Sequence, residues 1–370
     1  MLVIKAFLGH RMIVRLSFSV YFSPVISFIY SLFMRTAHFL AASLLLSFSS
    51  PNGCHQTLPK VKIKALSASM PMPEKEAVLD SADYSARIQA LTFDCDSLWQ
   101  SKAKSYPLPG AILPFNRILA YYGNLYSKRM GILGELPKDS MLRRLAIEKR
   151  AWEEADPATP VRTALHYIAM SAQSAPGRDG KYRLAMPSHQ IDTIVSWAKE
   201  IDALVFLDIQ IGTSNLTAEL PKYAAYLKLP QVHFGIDPEF SMKSGNRPGT
   251  VIGTLDAADI NIAIDFLADI VKANKLPPKV LIVHRFTQKM VTNYQNIKNI
   301  PEVQVVIDMD GWGAKELKRA SYLRCIYREP VNLAGFKLFY GNDTKSNKNG
   351  LLTPCEVLDL KPKPIYIQYQ

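Results

Sequence analysis

Several short apolar runs in this chain end in residues that can do chemistry. Asp208 and Gln210 close the run 204–210 (LVFLDIQ), and His233 and Asp237 lie in 231–237 (QVHFGID), with Glu239 two residues on. His284 and Arg285 end 279–285 (KVLIVHR), and Asp308 and Asp310 end 303–309 and its next residue, with Trp312 beyond. Tyr121, Tyr122 and Asn124 close 117–123, and His166 sits in 163–169. Lys337 and Tyr340 belong to 335–341, and Gln368 to 364–369. Side chains alternate along a strand, so Asp208 and Gln210 share a face, as do His233 and Asp237, and Asp308 and Asp310. A charge within an apolar strand is costly to bury unless it is paired or useful. Three strands carry such charges at the same end, which points to one pocket.

Two chemistries suit these residues. Cleavage of a glycosidic bond needs two carboxyl groups, one protonated as acid and one ionised as nucleophile or base. Asp237 or Glu239 is the acid candidate and Asp208 or Asp308 its partner, with Asp310 a further catalytic candidate. Tyr121, Tyr122, Trp312 and Tyr340 could form a platform on which sugar rings stack. Asn124, His166, Gln210, His233, His284, Arg285, Lys337 and Gln368 complete the expected substrate-binding set. Carboxylates tied to Arg285 or Lys337 would favour binding over catalysis. The second chemistry is metal-dependent hydrolysis, since His166, His233, His284, Asp208 and Asp308 are suitable ligand types. No His-x-His or HExxH spacing supports it, so neither a metal nor another cofactor is expected.

The elements that must position these residues alternate regularly. Eight strand-like runs (117–123, 163–169, 204–210, 231–237, 279–285, 303–309, 335–341, 364–369) are too short for helices. Between them lie amphipathic stretches at 140–155, 187–200, 256–275 and 314–327, and shorter ones at 215–227, 289–297 and 353–358. In 256–275, Ile260, Ala263, Ile264, Leu267 and Val271 form one stripe. Eight strands, each but the last followed by a helix, over the 260 residues 111–370 predict an α/β fold of the (β/α)8 TIM-barrel type, for which about 250 residues are usual. The alternative is an open doubly wound α/β sheet. GxGxxG, GxxxxGK and GxSxG are all missing from the sequence, so nucleotide-dependent and α/β-hydrolase readings lack their motifs. In a barrel the active site lies where the strands end, and the loops 124–135, 176–184 and 241–249 would flank it.

The rest of the chain concerns location. Of the net charge of +12 over 370 residues, residues 1–53 contribute four basic side chains and no acidic one, leaving +8. Residues 16–34 are uncharged and about long enough to span a bilayer. From Met34 the text has a basic start, an apolar centre and small residues before Cys54, the layout of a signal peptide. The expectation is therefore a leader over 1–53 with its true start at Met34, and Cys54 as a lipidation site. A spacer over 54–110 with one helix within 74–91 would follow, then the barrel. A lipid on Cys54 would hold the protein at a membrane surface in the cell envelope, and a cut leader alone would leave it secreted or periplasmic. Basic residues such as Arg143, Arg144, Lys149 and Arg150 are spread over helix faces and suggest no nucleic-acid surface. The 21% charged residues, 18 Gly and 24 Pro exclude disordered, collagenous and coiled-coil chains, and four Cys exclude a disulfide-dense miniprotein.

The segments AYYGNLYSKRMGILGE, LDIQIG, HFGIDPEF, KVLIVHRFT, VIDMDGWG and GFKLFYGND resemble those of a family of uncharacterised bacterial secreted or lipid-anchored proteins. The resemblance spans roughly 111–370. It implies a glycosidase-like barrel at the cell envelope and assigns no catalytic residue; the carbohydrate or other small polar ligand is expected from the strand-end residues.

Overall fold

A computed structural model describes residues 78–97, 99, 105–345 and 350–370. The expected leader, the start at Met34, Cys54 and most of the spacer lie outside the described residues.

Eight parallel strands close on themselves. They are β1 (Arg117–Gly123), β2 (Val161–Ala172), β3 (Leu204–Ile209), β4 (Val232–Ile236), β5 (Lys279–Arg285), β6 (Val303–Met309), β7 (Leu333–Leu338) and β8 (Tyr366–Tyr369). Each pairs with the next in chain order, and β8 returns to β1 through Ile118 opposite Tyr366 and Tyr121 opposite Tyr369. Because β1 also pairs with β2, the ring of eight has no free edge. The open doubly wound sheet is thereby ruled out and the (β/α)8 barrel stands. The second strand outruns its predicted end, because Ser171 pairs with Leu184 of a short antiparallel strand, Arg183–Ala185.

Helices cover the outside. Those long enough to label are α1 (Ser81–Leu91), α2 (Lys138–Ala155), α3 (Ser188–Glu200), α4 (Ala257–Asn274), α5 (Lys315–Tyr322) and α6 (Pro354–Leu358). The predicted stripe of α4 is buried, from Ile260 through Val271. Asp256 and Asp259 form a capping box at its start, satisfying backbone N–H groups that the first turn leaves open. In α1, Asp80 accepts hydrogen bonds from the backbone N–H groups of Ala82 and Asp83. Its buried face, Tyr84, Ile88 and Leu91, joins Leu113, Ile118, Val280 and Leu333 in one apolar cluster at the strand N-terminal end. The predicted helix within 74–91 thus packs against the barrel rather than standing in a bare spacer.

One unit departs from expectation. The helix predicted over 289–297 is replaced by two single 3₁₀ turns, Gln288–Met290 and Tyr294–Asn296, with Asn293 left-handed at φ 54° between them. In this irregular path the carbonyls of Thr287, Gln288 and Val291 accept from the Arg285 guanidinium.

Inside the barrel the layers differ in polarity. Near the strand starts lie Ile118, Ala164, Leu204, Val280 and Leu333, with Phe206 and Ile282 above them. Near the strand ends the inward positions hold Tyr122, His166, Asp208, His284, Asp308, Lys337 and Gln368, all buried. The lower layers supply the apolar burial, and the upper ones must satisfy their own polar groups.

Candidate active site

A cavity of about 720 Å³ opens at the C-terminal ends of the strands. Its polar wall consists of Gln210 beyond β3, Asp237 and Glu239 beyond β4, Asp310 beyond β6 and Lys337 on β7, with Tyr122 of β1. Trp312, 60% exposed, stands at the rim, and Phe240, Phe286 and Phe339 add apolar surface. Arg129 and Met130 reach in from the loop 124–135 expected to flank the mouth, and Arg324 from the segment after α5.

Asp310 is held from two sides. Its Oδ1 lies 3.1 Å from Lys337 Nζ and its Oδ2 3.1 Å from His284 Nδ1. Burial alone would raise its pKa, but the Lys337 and His284 charges hold it below the usual carboxylate range. Lys337 Nζ also sits 3.8 Å from the centre of the Tyr122 ring, a cation–π contact that fixes it over the cavity floor.

Asp237 and Glu239 behave oppositely. Asp237 Oδ2 accepts from Gln210 Nε2 at 3.1 Å, and its Oδ1 accepts from the backbone N–H of Glu239 at 3.0 Å, capping the turn Pro238–Phe240. Burial, reinforced by the Asp310 and Asp208 charges, pushes the Asp237 carboxyl up to about 7. Burial, then Asp237 and Asp310, push half-buried Glu239 up to about 8. One cavity therefore holds two carboxyl groups raised by burial, Glu239 the more so, beside one that its ion pairs lower, the pattern that separates acid from base.

Beneath the floor lies a second cluster. Asp208 Oδ2 accepts from the Tyr122 hydroxyl at 3.0 Å. Its Oδ1 is 3.5 Å from His166 Nε2 and 3.4 Å from His284 Nε2. Burial works against the Asp208 charge, yet the two imidazoles hold its carboxyl well below the usual range. Burial lowers His166 to about 4. His284 goes the other way: burial opposes its charge, but Asp208 and Asp310 raise it well above the ordinary histidine value. Asp308, raised by burial, lies 3.5 Å from His284 Nδ1.

The candidates named from sequence therefore divide into groups. Asp237, Glu239, Asp310, Tyr122, Gln210, Lys337 and Trp312 line the cavity. Asp208, Asp308, His166 and His284 are brought together below it, so the partner position expected of Asp208 or Asp308 is occupied at the cavity by Asp310. Gln368 is deeper still, donating to the Tyr366 hydroxyl at 2.8 Å. His233 is a layer lower, opposite Phe206 in the register, where its Nδ1 accepts from the backbone N–H of Val280.

Four candidates lie elsewhere. Asn124 donates to the Ile168 carbonyl at 3.0 Å and accepts from the backbone N–H of Tyr126 at 2.7 Å, fixing the loop after β1. Tyr121 and Tyr340 meet hydroxyl to hydroxyl at 3.0 Å, and Tyr340 donates to Glu148 of α2 at 2.7 Å, between barrel and helix. Arg285 points outward to carbonyls and Glu329. Sequence reasoning passed over Tyr366, whose hydroxyl is 2.6 Å from His166 Nδ1, because it stands early in its run. It also passed over Phe240 and Phe286, which follow strand ends and carried no polar signal.

The fold and site define a (β/α)8 barrel whose mouth holds three carboxyl groups and three basic side chains. No protein-family model and no curated protein matches the chain. Among solved structures, it is similar to the Clostridial cellulose synthase subunit Z from Clostridioides difficile, with TM-score 0.36 and 11% identity over 69% of this chain and 92% of that one. It is also similar to the Podospora anserina GH26-CBM35 β-(1,4)-mannanase, with TM-score 0.31 and 10% identity over 81% of this chain and 64% of that one.

Proposed function

We propose that this protein is a carbohydrate-active hydrolase that cleaves glycosidic bonds at the barrel mouth. One arrangement carries the reading: Glu239 and Asp237, whose carboxyls burial raises to about 8 and about 7, share a cavity with Asp310, which is ion-paired to Lys337. Glu239, the more exposed of the two raised groups, is the general acid toward the leaving oxygen. Asp310 is the ionised partner, and Lys337 and His284 fix its orientation. Asp237, bridged to Gln210, holds the turn that carries Glu239. Trp312 at the rim supplies an apolar face for a sugar ring. We place the protein at the cell envelope, secreted or lipid-anchored, on the strength of the leader and Cys54.

A second reading has its own support. Asp310 is engaged on both oxygens, as suits a carboxylate that shapes a binding site rather than one that reacts. The protein would then hold a glycan without cleaving it.

The test is a panel of polysaccharides and cell-wall fragments, assayed for new reducing ends and for binding. The hydrolase reading expects cleavage by the wild type and losses of about 10²–10⁴-fold in Glu239→Gln, with binding kept. Binding without cleavage by the wild type favours the second reading. Neither binding nor cleavage across the panel counts against both.

A further inference from the structure

We infer that His166 Nε2, Asp208 Oδ1 and His284 Nε2 form a binding site for one divalent cation of the zinc type, buried beneath the cavity floor. The site goes beyond the proposed hydrolysis and takes no step in it.

Geometry is the first support. A charge-assisted hydrogen bond between an imidazole and a carboxylate runs about 2.7–2.9 Å. Here Asp208 Oδ1 stands 3.5 Å from His166 Nε2 and 3.4 Å from His284 Nε2, so neither contact closes as a hydrogen bond. Ligands held about 2.0–2.1 Å from a tetrahedral metal ion stand roughly 3.4 Å apart, which matches these separations. Among the described residues these three side chains are the group of His, Cys, Asp or Glu whose ligand atoms converge, all within 4.8 Å of one another.

The second support is the state of those atoms. His166 Nε2, Asp208 Oδ1 and His284 Nε2 are all fully buried and have no hydrogen-bond partner. Each such atom left unmet costs about 1–3 kcal/mol, so three facing one point call for something between them.

The outer contacts support the ligand set on the His166 side and place a carboxylate next to His284. A metal-bound histidine usually donates its other ring N–H to a carboxylate or another acceptor, which turns the free lone pair toward the ion. His284 Nδ1 lies 3.1 Å from Asp310 Oδ2, an ion-pair contact without hydrogen-bond geometry. His166 Nδ1 faces the Tyr366 hydroxyl at 2.6 Å and the Gln368 carboxamide at 3.1 Å. Gln368 Oε1 is itself buried and unpartnered. Turning that carboxamide over lets Oε1 accept from both His166 Nδ1–H and the Tyr366 hydroxyl, leaving His166 Nε2 as the lone-pair donor. The second oxygen of Asp208 is meanwhile fixed by Tyr122.

Gly235 of β4 completes the cradle. A Cβ there would stand 2.4 Å from Asp208 Oδ1 and 2.8 Å from His166 Nε2, so a side chain would fill the space the ligand atoms face. The three ligands come from β2, β3 and β5, so a cation ties three strands together from inside. Three protein ligands leave the fourth tetrahedral position to a small exogenous ligand such as water, and Tyr122, Asp310 and Lys337 line the cavity nearby.

The experiment uses the full chain, stripped with a chelator, dialysed against Zn²⁺ and passed through gel filtration before metal analysis. The expected result is one Zn²⁺ per chain and a higher Tm than the stripped protein. Co²⁺ loaded in its place should give the intense visible bands of a low-coordinate nitrogen–oxygen site. His166→Gln and His284→Gln should each weaken uptake at least ~10-fold, while His233→Gln, a buried histidine outside the cluster, should bind as wild type. Wild-type protein that retains no stoichiometric Zn²⁺, a Co²⁺ spectrum like the hexa-aqua ion, or unchanged uptake in both His166→Gln and His284→Gln overturns the inference. The wild-type Co²⁺ spectrum decides even where a variant fails to fold.

Discussion

Glu239→Gln should make the protein more stable at alkaline pH while disabling it. The folded protein raises this carboxyl from 4.5 to about 8, chiefly by burial. A raised pKa means the native state holds the proton more tightly than the unfolded chain. The stability this gives is fully present below the unfolded value of 4.5 and is lost as pH rises through about 8. At about 1.36 kcal/mol per tenfold change, the span sets a ceiling of about 5 kcal/mol. Glu239 is partly exposed and its titration is linked to that of Asp237, so solvent screening reduces the figure to ~2–3 kcal/mol. Gln keeps the shape but has no charge to bury. Urea unfolding of wild type and variant at pH 4.5 and pH 9 measures the difference. Near-equal stability is expected at pH 4.5, with the variant ahead by ~2–3 kcal/mol at pH 9. A difference that does not change with pH, or a variant less stable at pH 9, would refute the assignment of Glu239 as a carboxyl protonated by burial.

Other outcomes follow from the same contacts. Lys337→Met leaves Asp310 buried without its ammonium partner and should destabilise by about 3–5 kcal/mol at pH 7, read by urea unfolding. The loss should shrink at low pH, where Asp310 can take up a proton. Arg285→Met removes donors from four backbone carbonyls, those of Thr287, Gln288, Val291 and Cys325. It should lower Tm and loosen the segment after β5, seen as faster amide exchange there. Leu267→Ala in the buried stripe of α4 should cost about 2–5 kcal/mol with no change in the pH profile.

The architecture was largely legible because period 2 and period 3.6 are strong signals. The eight runs, their spacing and the α4 stripe came straight from apolar periodicity. The site was legible in part. Applying alternation strictly separates Tyr122 from Tyr121 and His284 from Arg285: in each pair one residue faces inward and its neighbour packs outward. Position near a strand end is not enough without that parity. Depth was hidden as well. His233 pairs in register with Phe206 rather than with Asp208, so the stagger of the barrel puts it a layer below the charged cluster. The irregular path after β5, where a helix was expected over 289–297, is held by bonds from Arg285 to backbone ahead of it, which no local propensity encodes. The convergence of His166, Asp208 and His284 depends on three strands far apart in the chain, and no spacing motif announces it.

The most direct test of the central claim is hydrolysis in ¹⁸O-water of glycan oligomers that the protein binds, with products weighed by mass spectrometry. The account predicts shorter oligomers carrying one ¹⁸O at the new end, formed by wild type and not by Glu239→Gln. Bound glycan recovered intact and unlabelled from the wild type would contradict it and leave a binding protein in its place.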